Sequence, residues 1–122
     1  MKIRILGNSL RFRLTRSEVD TLCVKGYIED RTIFNSVVFT YAVKMVTDSE
    51  QLTAQFRDNT ITLKLPKSLG TNWHHTDKVG FSETMELKNN DSLFVLLEKD
   101  FACLDERLED QSDNYPNPKA LL

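Results

Sequence analysis

A ten-residue pattern occurs twice in this chain. "NSLRFRLTRS" begins at Asn8 and "NTITLKLPKS" at Asn59, and the two agree in type along their length. Asn8 meets Asn59, Leu10 meets Ile61, Phe12 meets Leu63, Arg13 meets Lys64, Leu14 meets Leu65, and Arg16 with Ser17 meets Lys67 with Ser68. A duplicated chain must bury the same stripe in both copies, which restricts its architecture more than any composition figure does. Each stretch alternates apolar and polar residues with period two, so each reads as a half-buried strand. Leu10, Phe12 and Leu14, or Ile61, Leu63 and Leu65, face a core.

Each copy then leaves the strand pattern in the same place. Thr15 or Ser17 can cap a short helix through "SEVDTLCVKG", with Gly26 as its stop, and Pro66 can open the matching turn through "KSLGTNWHHTD". Another strand follows each, "YIEDRTIF" in the first copy and "VGFSETMEL" in the second. "KIRIL" with its Gly7-Asn8 turn, and "LTAQFRD" with its Asp58-Asn59 turn, supply hairpin partners at the start of each copy. A long strand from Val37 to Val46 joins the copies, and "SLFVLLE" closes the second. Because that last run is apolar on both faces, it belongs inside a sheet rather than at an edge.

The expected fold is mainly β, of the α+β kind. It has about eight strands and two short helices around an internal strand-helix-strand duplication, with pseudo-repeats near residues 8–34 and 59–87. Short hairpins suggest an antiparallel barrel or two packed sheets. The whole is one β-rich domain over residues 1–100, followed by an acidic extended C-terminal strap over 101–122 in which Phe101, Leu104 and Tyr115 would pack.

At 122 residues, 40% of them hydrophobic, the chain can bury a core without staples. Its longest apolar runs fall well short of the roughly 20 residues of a membrane helix, so no membrane association is expected. Arg4, Arg11 and Arg13 interrupt the region where a signal peptide would need an apolar core, and Cys23 and Cys103 stand in no metal-finger spacing. The expected location is cytoplasmic, with both thiols reduced. A net charge of −2 argues against a sequence-independent nucleic-acid binder, leaving nucleic acid a less favoured partner. The charge is unevenly spread: Lys2, Arg4, Arg11, Arg13 and Arg16 precede the first acid, Glu18, whereas acids crowd the last quarter.

Two resemblances follow from these stretches. "MKIRILGNSLRFRLTRSEVDTL" together with "EKDFACLDERLEDQSDNYPNP" resembles an uncharacterised bacterial family of unknown function over nearly the whole chain, which implies no activity. "GNSLRFRLTRSEVDTL" is similar to the strand and helix of swapped-hairpin antitoxin and transition-state regulator domains, over less than one fifth of the chain. In those families two copies from separate chains interlock into a DNA-binding barrel. The resemblance implies that both halves could here come from one chain, although Asp58 stands where the turn glycine would be.

The candidate sites start from strand alternation. With Leu10, Phe12 and Leu14 inward, Arg11 and Arg13 share the other face, and Lys2 and Arg4 alternate in the same sense with Ile3 and Ile5. Arg4, Arg11, Arg13 and Lys64, extended by Arg57, would form an anion-binding patch if the two copies lie side by side. The plain alternative is a solvated face paired with Glu29, Asp30 or Glu83. A metal reading would assemble His74, His75, Cys103 and Asp105, the histidines beside Trp73. The plain alternative there is a packed Trp73 with surface histidines. Asp100, Asp105 and Glu106 would raise the Cys103 thiol pKa, against a nucleophile, and Cys23 falls on the apolar side of the first helix.

No phosphate loop, dinucleotide turn, nucleophile elbow or zinc helix is present. An enzyme reading survives only as a metal-dependent phosphate-processing barrel using Glu29 and Glu83. The expectation is therefore a binding module rather than an enzyme, without a cofactor. Its ligand would be an anionic small molecule or an acidic protein segment on the basic strand face, with the DNA-binding regulator as alternative and the oligomeric state open.

Overall fold

A computed structural model of the chain describes residues 1–102 and 111–118. The local elements follow from local chemistry. β1 (Lys2–Ile5) and β2 (Ser9–Leu14) turn through Gly7-Asn8, where Gly7 takes a φ of +53° that a side chain would disfavour, and Leu6 and Ser9 exchange two backbone hydrogen bonds of 3.2 Å. α1 (Arg16–Lys25) opens on a reciprocal cap: Glu18 N–H donates to Thr15 Oγ1, and Thr15 N–H donates to Glu18 Oε1 at 2.9 Å. Gly26 closes it in the left-handed conformation and donates to Leu22 O at 2.8 Å.

β3 (Tyr27–Ile33) and β4 (Val38–Val46) complete the first copy. The second runs β5 (Thr53–Arg57), β6 (Thr60–Pro66), the single turn α2 (Lys67–Gly70), a 3-10 turn at Trp73–His75, β7 (Gly80–Glu86) and β8 (Ser92–Lys99). Asp58 and Asn59 both have positive φ, so the β5–β6 hairpin closes through side chains that tolerate that region in place of glycine.

The strands form two four-stranded sheets, ordered β1-β2-β8-β7 and β3-β4-β6-β5. Each sheet therefore takes one hairpin from each copy: β1–β2 joins β7–β8, and β3–β4 joins β5–β6. The outer pairs are antiparallel, but both central pairs, β2 with β8 and β4 with β6, are parallel. The expected antiparallel hairpins are thus joined by parallel central pairs, and the reason is geometric. All four hairpins turn at one end of the molecule, so the second strand of every hairpin runs away from that end, and each central pair consists of two second strands. β8 lies inside its sheet, between β2 and β7, as its two-sided apolarity requires.

Two packed sheets are the observed alternative; no barrel closes among the described residues. At one seam β5 meets β7 through the Ala54 N–H and the Met85 sulfur, 3.1 Å apart. At the other the Met1 amine, beside β1, reaches Glu18 Oε2 at 2.6 Å and Asp30 Oδ2 of β3 at 3.8 Å. Neither contact is a strand ladder.

The two copies of the repeated stripe fill the interior. Leu10, Phe12 and Leu14 stack against Ile61, Leu63 and Leu65, with Val43, Met45, Val95 and Leu97 from the central strands. Burying each such side chain is worth about 1.5–3 kcal/mol. α1 closes the end opposite the hairpins with Val19 and Leu22. Trp73 plugs the same end at 1% exposure, its indole donating to Lys78 O at 2.8 Å and meeting the Phe81 ring edge-on at 5.1 Å.

Beyond β8 the chain crosses this closed end. Asp100 N–H donates to Leu14 O, Phe101 bridges to Tyr115, and Tyr115 N–H donates to Asp100 O at 2.8 Å. Asp113 sits at the start of α1, its carbonyl receiving Arg16 N–H and its carboxylate the Ser17 hydroxyl at 2.5 Å. That hydroxyl, with Thr15, holds the Asp113 carboxyl below its ordinary pKa. Leu104, part of the expected strap, lies outside the described residues.

Candidate anion-binding face

The β1–β2 register sets Lys2 opposite Arg13 and Arg4 opposite Arg11. Their neighbours Phe12 and Leu14 are buried in the core, so alternation sends the four cations to the outer surface of the first sheet. β8, parallel to β2, places Glu98 in register with Arg13. Its Oε1 accepts from Arg11 Nε at 2.6 Å and Arg13 Nε at 3.0 Å. Lys2 Nζ lies 3.2 Å from Asp100 Oδ2, which is buried and makes an ion pair there rather than an aligned hydrogen bond. Arg4 has no ion-pair partner among the described residues. Lys2, Ile3, Arg4, Arg11 and Arg13 line a cleft of about 180 Å³, and Arg11 and Arg13 also border a second, of about 240 Å³, with Glu98, Asp100 and Asn117.

Lys64 is not part of this face. It sits on β6, in the other sheet, in register with Lys44 and Thr53. Arg57 ends β5, also in that sheet. The expectation failed because hairpin exchange puts β2 and β6 in different sheets, so corresponding residues of the two copies look out from opposite sides of the sandwich. The positions in copy two that match Lys2, Arg4, Arg11 and Arg13 are Thr53, Gln55, Thr62 and Lys64, as the registers show. The β1–β2 hairpin thus carries four cations where the matching positions of β5–β6 carry one, although Lys44, Arg57 and Arg31 also face outward on the second sheet.

Glu29 and Glu83 are not brought together. Glu29 stands outside β3, accepting from the Tyr27 hydroxyl at 3.2 Å and Arg31 Nε at 3.1 Å, whereas Glu83 shares the inner side of β7 with Phe81 and Met85. The His74 and His75 rings lie 3.8 Å apart, and His74 Nδ1 is buried without a hydrogen-bond partner. Cys103 and Asp105, the other members of the expected metal set, are outside the described residues. Among the described residues no three metal-ligating side chains are gathered. Cys23 packs beside the closed end, its thiol 3.4 Å from Gly70 O, and burial raises its pKa.

Two polar residues that matter, Glu98 and Lys99, were not singled out as site residues from sequence, and Asp100 was read only as a neighbour of Cys103. Alternation past Val95 and Leu97 assigns Glu98 to the outer face and Lys99 to the core, but the run "LFVLLEK" reads as apolar on both faces and hides that signal. Lys99 is 4% exposed, donates to Thr76 O at 2.6 Å and lies 5.0 Å from the Tyr115 ring and 5.8 Å from Trp73. Desolvation lowers its pKa.

The fold and face together define a two-sheet sandwich of exchanged hairpins carrying a basic patch on one sheet. The chain belongs to a family of unknown function (DUF7009), whose model matches residues 1–119. No curated protein and no solved structure matches it.

Proposed function

We propose that the protein is a binding module that captures an anionic ligand, a small molecule or an acidic protein segment, on the outer face of its first sheet. One observation carries the reading: two copies that share a core stripe differ on their outer faces, where Lys2, Arg4, Arg11 and Arg13 replace the threonine, glutamine and single lysine of the counterpart. The fold does not need these cations, because the other sheet forms without them. Paired guanidiniums on adjacent strands suit a phosphate or carboxylate, which they hold in a bidentate fork. Glu98 occupies two of the donors and leaves Arg4 open. No helix among the described residues is long and apolar enough to cross a membrane, which accords with a role in the bacterial cytoplasm.

A DNA-binding regulator is the second reading, favoured by the exchange of hairpins between the copies, which is the arrangement its resemblance implies. The net charge of −2 weighs against it. The two separated carboxylates Glu29 and Glu83 leave the phosphate-processing reading without a site.

Thermal-shift titration with phosphate, pyrophosphate, dicarboxylates, an acidic peptide and short duplex DNA tests the proposal. An anion raises the melting temperature of the native chain, and Arg4→Gln with Arg11→Gln abolishes the rise while lowering the temperature measured in chloride by no more than the few degrees that loss of the Arg11–Glu98 pair accounts for. A rise that survives both substitutions overturns the assignment, and a salt-sensitive response to duplex DNA alone transfers the face to the regulator.

A further inference from the structure

The hairpin end of the sandwich is built differently from the end that α1 and Trp73 close. Of the large apolar side chains left exposed, Ile5, Leu6, Phe34, Val37, Phe56 and Leu87 lie on or beside the four hairpin turns, with Ile5 at 59% and Phe56 at 70%. Between the two sheets at this end is a cavity of about 390 Å³. Its walls are Ile5, Leu10, Phe39, Phe56, Ile61 and Leu93, with Ala54, Asn8 and Gln55 completing the lining.

The registers relate these walls in pairs. Ile5 opposes Leu10 as Phe56 opposes Ile61, and Phe39 precedes the partner of Ile61 by two residues as Leu93 precedes the partner of Leu10. The cavity thus lies on the pseudo-twofold relation between the copies, each lending it three equivalent apolar side chains. Among the apolar walls the pairing breaks at one place. Ile3, opposite Phe12, corresponds to Ala54, opposite Leu63. A side chain cut back to a methyl group on the β5 side leaves room that isoleucine occupies on the β1 side.

We propose that this mouth is a binding site for an uncharged apolar small molecule, separate from the basic face. No charged side chain lines it, and the only polar side chains are the amides of Asn8 and Gln55; Asn8 Nδ2 is already committed to Ser92 O at 2.5 Å. A charged ligand would therefore lose its hydration with nothing in return, whereas a hydrocarbon body with at most one hydrogen-bonding group loses nothing. A cavity of about 150 Å³ lined by such residues accepts benzene, so the space here suits a body of two rings or an acyl chain of similar volume. Sheets packed about 10 Å apart leave a slot one side chain thick, which favours a flat or linear occupant.

The test is a fluorescence titration of the full chain with N-phenyl-1-naphthylamine, an uncharged probe of two linked ring systems, naphthyl and phenyl, alongside sedimentation at the same protein concentrations. One probe binds saturably per chain, a medium-chain alcohol displaces it, and inorganic phosphate, the probe of the basic face, does not. Ala54→Ile, which restores the residue of the other copy, weakens binding by at least about tenfold by filling the space. Phe56→Asp, at an exposed position outside the packed core, does the same by charging the rim while circular dichroism stays unchanged. Absence of saturable binding, or equal binding by both variants, overturns the proposal. Loss of binding as protein concentration rises, with a dimer in sedimentation, overturns it in favour of a second copy covering the mouth.

Discussion

Replacing Glu98 with glutamine separates what the basic face contributes to stability from what it offers to a ligand. The carboxylate oxygen that accepts from Arg11 at 2.6 Å and Arg13 at 3.0 Å is 14% exposed on its side chain, and the two arginines about one third. Partly exposed pairs are worth about 0.2–1 kcal/mol each, so the variant should lose about 1 kcal/mol and at most about 2. For a chain of this length that corresponds to a fall in melting temperature of about 3–8 °C in dilute chloride buffer. The same substitution frees two guanidiniums beside Arg4, which has no ion-pair partner among the described residues. A gain of about 1.4 kcal/mol toward an anion is a tenfold tighter dissociation constant, and ligand at 100 times that constant adds about 2.7 kcal/mol to the folded state. Glu98→Gln should therefore be less stable than the native chain in chloride and more responsive in phosphate. Differential scanning fluorimetry in chloride and phosphate at matched ionic strength reads both, since screening is then common to the two arms. A deficit that phosphate repairs no better than chloride refutes the view that Glu98 holds a ligand's place.

Gly80→Ala should destabilise by more than about 2 kcal/mol, because a β-carbon there would stand 2.8 Å from Glu98 Cα against the rigid β8 backbone; urea denaturation measures it. Thr15→Ala should cost about 1 kcal/mol through loss of the cap on α1, with the same assay showing an unchanged denaturant slope. Tyr115 has its pKa pushed up to about 12, first by burial and then by Asp20, so its contribution is complete below pH 10 and is lost as pH rises toward 12. Tyr115→Phe should flatten that alkaline decline in melting temperature, and an unaltered decline would place the titration elsewhere.

The local architecture could be read from the chain because its signals are local. Thr15 with Glu18 three residues on, Gly26 after the last helical residue, and the Gly7-Asn8 and Asp58-Asn59 turns each act within a few residues of themselves. Strand faces were equally accessible, since Leu10, Phe12 and Leu14 obey the same alternation whatever they pair with. Partner choice is another matter. The likeness in residue type between β2 and β6 says that they do the same job in their copies, yet it carries no information on whether equivalent strands share a sheet. That is where Lys64 was misplaced, and where the parallel central pairs were missed. Glu98 escaped notice for a related reason: only after β8 is known to lie beside β2 does a carboxylate at the end of an apolar run become the partner of two arginines.

A duplicated fold carries its own control. Positions at which the copies agree, Leu10 with Ile61, Phe12 with Leu63 and Leu14 with Leu65, report what the sandwich requires. Positions at which they differ cannot be required by the topology, since the other copy folds without them. Three divergences stand out. Arg4 and Arg11 replace Gln55 and Thr62 on the outer face, Ala54 replaces Ile3 at the hairpin mouth, and Lys99, opposite Leu14, replaces Met45, opposite Leu65. Methionine at the third position would bury its surface at no electrostatic cost, whereas Lys99 loses hydration and recovers it only partly, through Thr76 O and two aromatic rings. One of those rings is Tyr115, the residue through which the C-terminal segment bridges to Phe101. The lysine thus stabilises a contact that copy one has no use for, and it ties Tyr115 to the end of the same strand that carries Glu98. Swapping Lys99 for the methionine of its counterpart should leave the core intact and loosen the strap, seen as faster amide exchange at Ala102 and Tyr115 with the β2 and β6 amides unchanged. Equal exchange at all four would mean that the lysine serves packing alone.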